Sequence, residues 1–75
     1  RSAEAAEWRR TDPQARARAE ETVGMLSAEI EKLTERVAKA SARGDASAAK
    51  KAQDSIDTYT VWLDQAKATL ADFSR

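Results

Sequence analysis

Paired carboxylates, clustered arginines and two tryptophans are the side chains here whose types and spacing could do chemistry. The carboxylate pairs are Glu4/Glu7, Glu20/Glu21, Glu29/Glu31 and Asp54/Asp57. Glu4/Glu7 and Asp54/Asp57 stand three apart, so each pair shares a face if its segment is helical. A di-metal bundle needs Glu-x-x-His on facing helices, and the chain has no His. Acid–base catalysis needs a titratable group poised in a pocket, and nucleophilic catalysis with thiols needs Cys, which is also absent. We therefore expect no catalytic residue, no metal, no cofactor and no small-molecule substrate. The carboxylates read as solvated surface and the chain as a non-enzyme.

Arg43-Gly44-Asp45 spells an integrin-binding tripeptide. Each residue also has a structural reason to be there, as a last-turn Arg on the helix dipole, a Gly terminator and an Asp cap. The structural roles are the expected reading. Arg9, Arg10, Arg16 and Arg18 could contact phosphates, because cations drive nonspecific nucleic-acid binding by releasing counterions. Trp8 beside them could stack on a base. The competing reading is a solvated face with acidic neighbours Glu7, Asp12, Glu20 and Glu21.

Trp8 and Trp62 carry the strongest signal for a partner, since tryptophan is enriched where interfaces are strongest. Trp62 could cover the edge of a helical seam over Leu26 and Tyr59. Equally, it could form a contact patch with Val61, an apolar residue expected to face solvent. Trp8 either folds onto Leu70 and Phe73 or belongs to a neighbouring unit.

The elements that place these residues follow from two apolar ladders. The first is Ala19, Val23, Leu26, Ile30, Leu33, Val37, Ala40; the second is Ala49, Ala52, Ile56, Tyr59, Leu63, Ala66, Leu70, Phe73. Both step by alternating threes and fours, the a/d spacing of a coiled coil. Folding at Gly44 sets Ala40 opposite Ala49, Leu33 opposite Ile56, Ile30 opposite Tyr59, Leu26 opposite Leu63 and Ala19 opposite Leu70. One register satisfies every rung, which predicts an all-α fold built on an antiparallel coiled-coil hairpin.

Residues 1–10 read as a short helix or the end of a preceding one, and 11–13 as a bend. Pro13 disfavours helical geometry at Asp12 and suits the first position of a new helix. Hairpin helix one is expected over 13–43, the turn at 44–45 and hairpin helix two over 46–74. Gly24 falls at an exposed heptad position, where it costs about 1 kcal/mol relative to Ala. Antiparallel pairing brings Glu20 opposite Lys67 as the one favourable flanking ion pair. The other flanks are mostly small or uncharged, with Arg36 opposite Ser55, and Trp62 sits opposite Glu29. Flanks this poor in charge predict cover from a third helix or a second copy.

Thirteen Lys+Arg balance thirteen Asp+Glu in 75 residues. A neutral total argues against a dedicated nucleic-acid module, which carries a basic excess. Five arginines against three acids in residues 1–18 leave that class open as the alternative. Absence of Cys excludes a disulfide framework and fits a cytoplasmic protein. No run is long and apolar enough to span a membrane, and residues 1–10 lack the apolar core of a signal peptide. A chain beginning at Arg1 is expected to be a piece of something longer.

The stretch Trp8-Arg9-Arg10-Thr11-Asp12-Pro13-Gln14-Ala15-Arg16-Ala17-Arg18, followed by an Ala-rich hairpin with a Gly turn and a late Trp, resembles the C-terminal tail of actinobacterial proteins of the "domain of unknown function 349" family. The resemblance is tightest over residues 7–18. It implies a long, cytoplasmic, all-helical parent in which the hairpin is a terminal appendage, and it transfers no catalytic residue. The expected function is protein–protein interaction or self-association, with Trp8, Val61 and Trp62 as anchors. An accessory RNA- or ribosome-binding element using Arg9, Arg10, Arg16 and Arg18 is the alternative.

Overall fold

The computed structural model describes residues 13–74, and over this span the chain is a helical hairpin. Helix α1 runs Pro13–Ala42 and helix α2 runs Ala46–Ala71, followed by a single 3₁₀ turn, Asp72–Ser74. The expected helix over 1–10, the bend before Pro13, and Trp8, Arg9 and Arg10 lie outside the described residues. The hairpin measures 51 × 20 × 15 Å.

The turn is closed by backbone chemistry. The Gly44 N–H donates to Ser41 O at 3.1 Å and the Asp45 N–H to Ala40 O at 2.9 Å. These are the paired bonds of a Schellman motif, which satisfies carbonyls left over at the helix end. The motif requires a left-handed residue, and Gly44 has φ of +75°. Asp45 then starts α2: its Oδ1 accepts from Ala48 N–H at 3.0 Å, and its carbonyl accepts from Ala49 N–H at 3.0 Å. Its Oδ2 lies 3.6 Å from Arg43 Nη2. One aspartate therefore ends one helix, begins the next and holds the arginine between them.

Both ladders face inward. Every rung from Ala19 to Ala40 and from Ala49 to Phe73 is buried or half-buried, while the intervening positions are mostly exposed. The register is visible in a shallow groove where Leu33 and Arg36 of α1 meet Ala48, Ala52 and Ser55 of α2. The accessible surface is 5485 Å², above the roughly 4,500 Å² of a compact protein of this mass. Among the described residues only Leu33, Ala40, Ala52 and Phe73 are buried.

Three boundaries and pairings differ from expectation. Helix α1 stops at Ala42, because Arg43 already belongs to the capping geometry. Helix α2 stops at Ala71 and tightens into the 3₁₀ turn, with the Asp72 N–H bonding to Thr69 O; Phe73 ends buried within that tightened turn. The Glu20–Lys67 pair does not form. Glu20 instead lies 3.8 Å from Arg16, one turn back on its own helix. A flexible cross-helix pair gains only tenths of a kcal/mol over such a local one.

Candidate interaction surface

From Arg16 to Thr69, every side-chain hydrogen bond and ion pair lies within one helix or the turn. Thr22, Thr34, Thr58, Thr60 and Thr69 each donate to the carbonyl four residues back, at 2.7–3.2 Å. Lys39 pairs with Glu35 at 3.1 Å and Lys50 with Asp54 at 3.2 Å. No polar bond across the seam sets the register in this span. Apolar packing and the turn do so, and the flanks are left for other contacts.

Glu4 and Glu7 lie outside the described residues; Glu20, Glu21, Glu31, Asp54 and Asp57 are exposed and Glu29 is half-buried. Asp54 is engaged by Lys50, and Asp57 accepts from the Gln53 amide at 3.0 Å. Among the described residues no three acidic side chains converge as a metal site would require.

The flank of α2 is different. Trp62 stands edge-on to Tyr59, with ring centroids 5.2 Å apart and planes at 62°. Such a pair adds about 0.5–1.5 kcal/mol beyond the area it buries. Tyr59 is a seam residue, so the ring of Trp62 is anchored at the seam edge. Trp62 still leaves 49% of its surface exposed. Asp54, Ser55 and Thr58 complete a shallow groove beside the two rings.

Of the residues singled out from the sequence, Trp62 and Tyr59 are brought together. Val61 is 54% exposed but occupies the outermost position of α2, about 100° around the helix from Trp62. Met25, which sequence reasoning passed over, is 64% exposed. Its heptad position puts it on the same broad face of the hairpin as Trp62 and at nearly the same height. The available signal was its position at c, next to the g flank.

Of the arginine cluster only Arg16 and Arg18 lie within the described residues. Arg16 is held near Glu20, and Arg18, two residues on, points from a different side of α1. No helix of the described residues is long and apolar enough to cross a membrane. Comparison with known protein families, curated proteins and solved structures finds no match to this chain.

Proposed function

We propose that the chain is a non-enzymatic helical interaction module whose partner packs against the α2 flank marked by Trp62. The observation that carries this reading is a tryptophan fixed by Tyr59 at the seam edge yet half open to solvent. A residue serving only the hairpin gains nothing from that exposure. Aromatic anchors surrounded by nearly neutral contacts are what dominates protein–protein binding. Val61 would widen the contact on the outer side, and Trp8 would add to it beyond Pro13. If residues 7–18 reflect kinship with the domain-of-unknown-function 349 proteins, the hairpin is an appendage of a larger cytoplasmic helical protein.

The test is Trp62→Ala, followed by capture of binding partners from a native lysate and by circular dichroism. Loss of capture with helicity retained supports the module. Melting of the hairpin makes Trp62 a structural residue. RNase treatment and moderate salt serve the alternative, an RNA- or ribosome-binding element on Arg9, Arg10, Arg16 and Arg18. Capture that vanishes with either treatment and ignores Trp62 would favour it.

A further inference from the structure

We infer that the face bearing Trp62 docks an acidic amphipathic helix of a partner protein, laid along α2 from Ala48 to Trp62. This rests on the interaction-module reading and names the chemistry of its partner. The chain is neutral overall, but its charges are sorted by face. The face formed by heptad positions c and g carries Arg18, Lys32, Arg36, Lys39, Arg43 and Lys51, against Glu29 and Asp72. The opposite face, at b and e, carries Glu20, Glu31, Asp57 and Asp64, against Lys50 and Lys67.

The cations on the basic face also differ in how they are satisfied. Lys39 and Arg43 have carboxylate neighbours. Among the described residues, Lys32, Arg36 and Lys51 engage none. Arg36 and Lys51 rim a groove of about 270 Å³ whose floor is Leu33, Ala48 and Ala52. Ser55 joins that groove to the second one, beside Tyr59 and Trp62. From Ala48 to Trp62 the track is about 21 Å long, four helical turns. At the Ala48 end an apolar floor flanked by the unpaired Arg36 and Lys51 fits a helix with an apolar stripe and acidic shoulders. At the Trp62 end the groove is lined by the two rings and by Asp54, whose carboxylate is already held by Lys50.

Two other occupants fit less well. A second copy docked face to face with its turn alongside would set Arg36 of each copy over Lys51 of the other, a like-charge contact. A nucleic acid would find cations and a tryptophan, but the Leu33–Ala52 floor offers its phosphates nothing.

The experiment uses the full chain carrying Trp8→Phe, so that fluorescence reports Trp62. The probes are a synthetic amphipathic helix of about 18 residues with Leu and Ala on one face and Glu on both shoulders, its twin with Lys for Glu, and a single-stranded RNA oligonucleotide. The expected result is a blue shift of Trp62 with the Glu peptide, weakened by salt, and affinity at least about fivefold above the Lys twin. Arg36→Glu/Lys51→Glu, at exposed positions where circular dichroism should show the fold intact, should invert the preference. Equal binding of the twins, or RNA binding tighter than the Glu peptide and displacing it, overturns the inference. If neither peptide binds while Trp62→Ala still abolishes capture or self-association in sedimentation equilibrium, the acidic partner falls and the interaction module stands. If Trp62→Ala alters neither, both fall.

Discussion

The half of the hairpin nearest the turn and the half at its open end obey the same a/d rule and reach different degrees of closure. Near the turn the ladders set Ala40 opposite Ala49, Val37 opposite Ala52 and Leu33 opposite Ile56. Toward the open end they set Ile30 opposite Tyr59, Leu26 opposite Leu63 and Ala19 opposite Leu70. Ala40 is fully buried, and Leu33 and Ala52 nearly so. No rung from Ala19 to Ile30 or from Tyr59 to Leu70 is fully buried, and at the open end only Phe73, within the closing 3₁₀ turn, is buried among the described residues. Small side chains let two helices approach closely enough to shut out solvent, since interaxial distance follows the residues at the contact. Larger ones project past what a single facing helix can cover. Along the paired helices the buried rungs are Leu33, Ala40 and Ala52, all in the half nearest the turn. The exposed Met25, Val61 and Trp62 all lie at or beyond the point where the rungs become large.

Core truncation sharpens this contrast most. Leu33→Ala should cost about 2–3 kcal/mol, and Leu63→Ala, on the half-buried side, distinctly less; thermal or urea unfolding of both variants measures the difference. Equal losses would remove the distinction between the halves. Ala40→Leu tests the same point from the other direction. Filling a site with no exposed surface should destabilise by about 1–3 kcal/mol, whereas Ala19→Leu at the open end should be neutral or stabilising.

The turn gives smaller effects. Gly44→Ala meets open space, since an added Cβ has nothing within 4 Å. Its cost is that of forcing a side chain to positive φ, about 1–2 kcal/mol. Asp45→Ala should lose about 1 kcal/mol with the N-cap. The smallest change has the opposite sign. Gly24 is helical, exposed and uncrowded, so Gly24→Ala should stabilise by about 1 kcal/mol. Any loss of stability there would point to a close approach that the hairpin alone does not contain.

The seam is legible in the sequence because its signal is periodic and repeated. Seven rungs answer eight across one glycine, and a slip of one turn would lose pairings along the whole length. The turn is legible because Gly44 and Asp45 each have a distinct backbone reason to be there. Less is legible at the flanks. The heptad pattern sets Glu20 opposite Lys67, but a flexible side chain prefers whichever partner is nearest, and Arg16 is one turn away. The e and g flanks taken alone also suggest surfaces poor in charge. The sorting of cations to one face and acids to the other lies partly in the next ring of positions, b and c, where Lys32, Lys51, Glu31 and Asp57 stand. The 3₁₀ ending that holds Phe73 leaves no sequence signal, because heptad spacing alone places Phe73 on the rung without specifying how the last turn winds.

Residue-resolved amide hydrogen exchange on the isolated chain tests the central contrast most directly. The slowest exchange is expected in residues 33–40 and 49–56, with progressively faster exchange through 19–26 and 63–70. Uniform protection along both helices, or stronger protection at the open end, would contradict it.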